Sequence, residues 1–247
     1  MFLAIDVGNT SITLGLFDGK KLVKNWRAET LKTDSAQQLW KKIRIHSQNV
    51  DGIVIASVVP SLDKNLEKLC QKFFKQKPLW VNYKTAKMPL RVDKPKEVGA
   101  DRLCNAVAAW RKYKRPTIIV DFGTATTFDV VTAKGEYGGG PITPGIAISS
   151  AALTSTTSKL PAVKIAKPKH VVGRNTVECI QSGLYYGYIG MVDYLLSRIQ
   201  KEEDCKMKII ATGGLASLIA QESKWIESVE PHLTLEGLYY IHCGNNF

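Results

Sequence analysis

The same chemistry-bearing residues stand in the same order at two places in this chain. Residues 2–15 (FLAIDVGNTSITLG) and 118–131 (IIVDFGTATTFDVV) each lead an apolar stretch into Asp, then Gly, then hydroxyl residues: Asp6 and Gly8 in the first, Asp121 and Gly123 in the second. A carboxylate carried out of an apolar strand into solvent stays ionised and offers the hard oxygen that hydrated cations prefer. A glycine two residues later lets backbone amides approach phosphate oxygens closely. Thr10, Ser11, Thr13, Thr124, Thr126 and Thr127 add hydroxyl donors. One such turn is also ordinary hairpin chemistry. Two of them, opening two β-rich halves, point to phosphate binding by a duplicated unit whose facing turns make a cleft. No G-x-x-x-x-G-K-[ST] and no G-x-G-x-x-G occurs, so neither a Walker P-loop nor a Rossmann unit supplies the phosphate contacts.

The elements that must position these residues can be read from periodicity. Apolar alternation predicts strands over 2–6, 12–17 and 22–27, with Asp18-Gly19 turning between the last two. A helix is expected over 35–48, a buried strand within 51–59 that Pro60 stops, a helix over 62–74 and a short strand over 79–81. Residues 88–98 read as a loop marked by Pro89 and Pro95, and 100–113 as a helix with Leu103, Ala106, Val107 and Trp110 on one face. After a hinge at 114–116 come strands over 117–121 and 126–132, then helices over 144–158, 175–201 and 215–221. A strand over 208–212 runs into Gly213-Gly214, and 235–243 closes the chain as an apolar helix. The fold class is α/β, with domains expected over 1–115 and 116–247.

Composition narrows the partners. The 247 residues carry a net charge of +12, from 34 basic and 22 acidic side chains. The basic residues fall in small scattered groups, such as Lys41, Lys42 and Arg44, or Arg111, Lys112, Lys114 and Arg115. No basic helix or aromatic-interleaved ribonucleoprotein motif is present, which favours a solvated surface that attracts anionic substrates over a nucleic-acid role. No apolar run approaches the ~20 residues of a membrane span. The chain runs straight into its first strand without a basic leader, and the expectation is a cytoplasmic protein. Cys70, Cys104, Cys179, Cys205 and Cys243 form no C-x-x-C pair, which argues for reduced thiols and against a zinc site. His46, His170, His232 and His242 show no ligand spacing.

With these elements placed, the chain resembles the type III pantothenate kinases. The resemblance rests on DVGNTSITLG (6–15), VGADRLCNAVAA (98–109), VDFGTATTFDVV (120–131) and ATGGLA (211–216), with GGGPITPGIAISSAAL (138–153) and GRNT (173–176) in support. It implies an actin-like ATPase superfamily fold, two ribonuclease H-like domains with the nucleotide in a cleft between them. It also implies ATP-dependent phosphorylation of pantothenate to 4′-phosphopantothenate, the first step of coenzyme A biosynthesis. GADR separates this family from superfamily kinases that share only the phosphate turns.

By the same resemblance Asp101 is the general base. Asp6, Val7, Gly8, Asn9, Thr10, Ser11, Ile12 and Thr13 hold ATP, with Asp6 on Mg²⁺, and Thr124 also takes a phosphate. Gly213 and Gly214 form the adenosine turn, for which a plain strand-to-helix turn is the alternative. Gly99, Ala100, Asp101, Arg102 and Thr176 contact pantothenate, Arg102 being a cation suited to the substrate carboxylate or to the transferring phosphoryl group, and Asp121 takes the monovalent cation, K⁺ or NH₄⁺. Val92 stands where the family often has a substrate-contacting tyrosine, so substrate packing differs there.

Taken alone, Asp101 also reads as a helix N-cap, Arg102 as half of a surface ion pair and Cys104 as core packing. As the base, Asp101 at a helix start is expected to have its carboxylate form favoured by the dipole. The helix over 175–201 sets Gly183, Gly187 and Gly190 among Leu184, Tyr185, Tyr186, Tyr188 and Ile189, and an exposed aromatic surface there is expected to form a homodimer with Thr176 near the interface. A non-catalytic accessory protein on the same fold is the competing reading, against which the intact Asp6, Asp101 and Asp121 weigh.

Overall fold

A computed structural model describes residues 1–43 and 50–244. Contacts divide them into two compact units, one of Met1–Lys114 with Gly135–Tyr137 and the chain from His232 onward, the other of Arg115–Lys134 with Gly138–Pro231.

The first unit is built on a five-stranded sheet of β1 (Phe2–Val7), β2 (Ser11–Asp18), β3 (Lys21–Glu29), β4 (Gly52–Ser57) and β5 (Leu79–Trp80). Its spatial order is β3-β2-β1-β4-β5, the first three antiparallel, the rest parallel. β1 reads as a continuous apolar run because it is central and covered on both faces. β3 is a lysine-bearing edge, exposed along most of its length.

Four helices cover this sheet. α1 (Ala36–Ile43) begins at a capping box: the Ser35 N–H donates to Gln38 Oε1 at 2.8 Å, and the Gln38 N–H returns to Ser35 Oγ at 3.4 Å. The rest of the helix expected over 35–48, with His46 and Arg44, lies outside the described residues. α2 (Pro60–Leu69) starts on proline and buries Leu62, Leu66 and Leu69 at helical spacing. The helix expected to continue to residue 74 does so as a π-helical turn over Cys70–Phe74, with Phe73 stacked on Trp40 at 4.3 Å. α3 (Ala100–Tyr113) spans the predicted residues. α7 (Leu233–His242) packs on α3, where the Thr234 hydroxyl donates to the buried Asn105 Oδ1 at 2.8 Å.

The second unit repeats the sheet with β6 (Thr117–Phe122), β7 (Ala125–Val131), β8 (Ile142–Pro144), β9 (Lys208–Thr212) and β10 (Ser228–Val229) in the order β8-β7-β6-β9-β10. The directions repeat as well, an antiparallel trio followed by parallel strands. Pro144, expected to open a helix, instead ends the edge strand β8, and α4 (Ile146–Thr156) begins after Gly145. Proline at 144 suits the first position of a helix and an edge strand alike, and pairing with β7 decides for the strand.

α5 (Thr176–Glu202) is capped by Asn175, whose side chain accepts from the Glu178 N–H at 3.0 Å. Tyr185, Tyr188, Ile189, Val192 and Leu196 of α5 join Ile118, Val120, Phe128 and Ile209 in one core, and α6 (Ala216–Ala220) adds Ile219. The exposed aromatic surface expected on α5 is therefore largely absent. Tyr185 is 1% exposed and Tyr188 7%, because the apolar stripe of a helix is first satisfied by its own sheet. What faces outward is the stripe of Gly183, Gly187 and Gly190, continued by Tyr194.

Candidate active site

In the first unit the chemistry gathers at the end of β1 and the start of α3. Asp6 lies opposite Thr13 on β2 and Ala56 on β4, one residue before the β1–β2 turn. That turn is closed by the Gly8 N–H donating to the Ser11 carbonyl at 3.0 Å. A residue not anticipated from the sequence, Thr30, ties it from the side: its hydroxyl donates to the Gly8 carbonyl at 2.8 Å and its N–H to the Thr10 carbonyl at 3.1 Å. The signal available was a Thr just past a strand, too common to single out. Val7 and Ile12 are buried, so only their backbone can face a phosphate, whereas Asn9 and Thr10 are exposed and Ser11 and Thr13 half-buried.

Asp101 occupies the first turn of α3 but does not cap it. Gly99 is the N-cap, and Asp101 Oδ1 accepts the N–H of Arg102 at 2.8 Å. A Cβ on Gly99 would stand 2.5 Å from Asp101 Oδ1, so glycine there leaves room for the carboxylate. Ala100 is buried and adds no bulk, and Val92 is half-buried in the preceding loop. The Arg102 guanidinium lies over the Tyr137 ring at 5.8 Å.

Cys104, one turn further, is fully buried. Its thiol is pushed well above the usual range, first by burial and then by the charges of Asp6 and Asp101. Both carboxylates thus act electrostatically on one buried sulfur, and Cys104 is a packing residue, inert as a nucleophile.

The electrostatics of Asp101 differ from the expectation that the helix start would favour its charge. Burial raises its pKa, and the Arg102 amide and guanidinium offset this only in part. Desolvation of a carboxylate held mostly away from water outweighs one amide hydrogen bond and one neighbouring cation. The base role that the resemblance implies for Asp101 needs the carboxylate, and on that expectation the acid limb of kcat/KM should lie above the ordinary aspartate range and rise with pH through the Asp101 pKa. A pH–rate profile of the parent whose acid limb stays below pH 4, near ordinary carboxylate titration, would contradict this.

In the second unit Asp121 takes the position of Asp6, opposite Thr127 on β7 and Thr212 on β9. The turn is one residue shorter: Val7 pairs Ile12 in the first hairpin, whereas Phe122 pairs Thr126 in the second. Gly213 has φ +93°, and a Cβ there would come within 2.6 Å of Asp121 Oδ1 and of the Phe122 backbone. The Gly213 backbone thus shapes one side of the Asp121 carboxylate, and Gly214 beside it is exposed. Thr124 is exposed in the turn. Thr126, counted in the sequence among the phosphate-turn hydroxyls, is instead buried and bonded to the Tyr188 hydroxyl, because its side chain points into the core. Thr176 is exposed at the first position of α5. Among the described residues no cluster of three or more His, Cys, Asp or Glu could hold a metal by itself. Any cation must then share its ligands with hydroxyls, water or bound phosphate.

Comparison with known proteins follows this geometry. The family model for type III pantothenate kinase matches residues 2–198. A type III pantothenate kinase of Myxococcus xanthus is 49% identical over 255 aligned positions, covering 100% of this chain and 99% of the relative. One from Anaeromyxobacter sp. strain K is 51% identical, covering 99% of this chain and 100% of its own. Among solved structures, a ROK family glucokinase from Streptomyces griseus superposes with a TM-score of 0.56 at 11% identity, over 96% of this chain and 97% of that one. That likeness is one of fold.

Proposed function

The chain belongs to the type III pantothenate kinase family, and from that premise we propose how its own residues carry ATP-dependent phosphorylation of pantothenate. The reaction moves the γ-phosphoryl group of ATP onto the primary hydroxyl of pantothenate, giving 4′-phosphopantothenate, the first step of coenzyme A biosynthesis. Asp101 takes the hydroxyl proton as the oxygen attacks phosphorus, and ADP leaves. Arg102 holds the pantothenate carboxylate, and Gly99 and Ala100 keep the loop small enough for substrate to approach. Thr176 and Val92 complete the substrate contacts. The Gly8–Ser11 turn, with Thr13 and Thr124, receives the phosphates, and Gly213-Gly214 lies against adenosine.

The observation that carries this reading is Asp101 itself. It sits in the first turn of α3 without capping it, its carboxylate mostly buried beside Arg102 and near enough to Asp6 that both charge the Cys104 environment. A carboxylate that costs energy to hold ionised is poised to accept a proton.

The donor chemistry also fits two cations. Asp6 with the hydroxyls of Thr10, Ser11 and Thr13 is an all-oxygen set suited to Mg²⁺. Asp121, at the strand end equivalent to that of Asp6 and beside the exposed Thr124 turn, offers the hard oxygen that K⁺ or NH₄⁺ takes. When bound, Mg²⁺ supplies charge neutralisation on the transferring phosphates. A coupled assay of ADP release should show turnover that requires pantothenate and is stimulated by potassium or ammonium. ADP release independent of pantothenate would refute the assignment.

The protein acts as a homodimer in this reading. α4 has no charged residue and buries only Ile146, leaving Ile148 and Leu153 exposed beside α5. On α5, Gly183, Gly187 and Gly190 face open space, flanked by exposed Val177 and Tyr194. These exposed apolar and small residues of α4 and α5 support an interface. Gly187→Arg should split the dimer and lower activity together, measured by light scattering and the same assay. A monomeric variant with parental turnover would show that the interface does not build the site. All five cysteines are unpaired, and no helix among the described residues is long and apolar enough to cross a membrane, which supports a cytoplasmic location.

A further inference from the structure

The connection between β7 and β8 leaves its own sheet for three residues, Gly135–Tyr137, and belongs there to the first unit. Its backbone is clamped to the substrate loop: the Tyr137 N–H donates to the Pro89 carbonyl and the Arg91 N–H to the Tyr137 carbonyl, both at 2.8 Å, with a bridge between Leu90 and Tyr137. Gly135, at φ +77°, lies against the Trp110 ring of α3, where a side chain would collide. These contacts fix the Tyr137 ring, which is 1% exposed, beneath the Arg102 guanidinium at 5.8 Å.

We propose that Tyr137 is a positioning residue that holds Arg102 in the orientation that receives the pantothenate carboxylate. An arginine side chain has several rotatable bonds, and ordering it at the moment of binding costs affinity. A ring fixed by its own backbone bonds presents its negative face to the guanidinium, with the ordering already done when substrate arrives. The strength of that hold follows the ring's electron density, whereas a purely space-filling role follows its volume. The proposal rests on the assignment of Arg102 to the substrate, and its test separates the two.

Phenylalanine and its mono-, di- and trifluorinated analogues are placed at Tyr137, a near-isosteric series that keeps the core filled. Pantothenate KM should rise progressively with fluorination, by about threefold to thirtyfold across the series, the range a ring–guanidinium contact is worth. kcat and the KM for ATP should stay near the values of the Tyr137→Phe enzyme. The same series on an Arg102→Gln background should be flat, at a raised pantothenate KM. A flat series with Arg102 intact, or one in which the ATP KM rises equally, overturns the positioning role even where Arg102→Gln weakens pantothenate. An Arg102→Gln enzyme with parental pantothenate KM overturns the Arg102 assignment and the proposal with it.

Discussion

Asp101→Asn is expected to lower kcat by roughly 10²–10⁴-fold, the usual contribution of a positioned base, with ATP affinity nearly unchanged. The amide keeps the volume and can still accept the Arg102 N–H, but it cannot take the hydroxyl proton. ATP affinity should survive because the substitution leaves the proposed phosphate contacts of the Gly8–Ser11 turn untouched. The same substitution should raise thermal stability at neutral pH.

The sign follows from burial, which raises the folded-state pKa of Asp101 above its unfolded value. The folded state therefore binds the proton more tightly. The stability contributed by the protonated carboxyl is full below the unfolded pKa and is lost as pH rises through the folded one. Above the folded-state pKa the parent holds a desolvated charge, and asparagine removes it. A kinase that gains melting temperature as it loses turnover is holding its base at a cost to the fold. Near-parental turnover in Asp101→Asn would end the base assignment, and a lower melting temperature at pH 7 would contradict the electrostatic reading.

The Asp6→Ala and Asp121→Ala enzymes should fail in different ways, although the two residues hold equivalent sheet positions. Removal of Asp6 should reduce kcat/KM for Mg–ATP by on the order of 10²-fold or more at any salt, since charge stabilisation by a bound metal is worth several kcal/mol. Removal of Asp121 should abolish stimulation by potassium or ammonium and leave a slow, cation-insensitive activity. The distinction comes from their neighbours. Asp6 shares its surroundings with Asp101 through Cys104, whereas Asp121 faces the Gly213 backbone. Titration of activity against KCl and MgCl₂ in both variants checks this, and potassium activation of Asp121→Ala equal to the parent's would move the monovalent site elsewhere.

The local structure around the candidate residues was largely legible because it is short-range in sequence. The Asp-x-Gly turns need only a strand and a hairpin, and a β1 buried on both faces leaves a clear apolar run. GADR opens a helix whose bounds, Ala100–Tyr113, were read correctly because glycine stands at its start and the apolar spacing runs to its end. β8 was not legible: three residues beside a proline read as a helix entry as easily as an edge strand, and only pairing with β7 decides between them. The outward face of α5 was misjudged for a related reason. A helix apolar around much of its circumference does not reveal which stripe its own sheet will claim.

The sequence by itself determined the duplicated Asp-x-Gly turns, the α/β class, the candidate base and the family, since each rests on residue type and short-range spacing. Tertiary structure alone decided that Thr126 bonds into the core while Thr30 braces the turn, and that α7 returns to pack on α3 through Thr234 and Asn105. It also decided that Tyr137 comes to lie beneath Arg102. Each of these contacts joins residues 20 or more positions apart, and burial fixes which of many chemically equivalent hydroxyls and rings meets which partner. The charge state of Asp101 belongs with them. The helix start is visible in the chain, but the desolvation that outweighs it is supplied only when the surrounding elements close around the carboxylate.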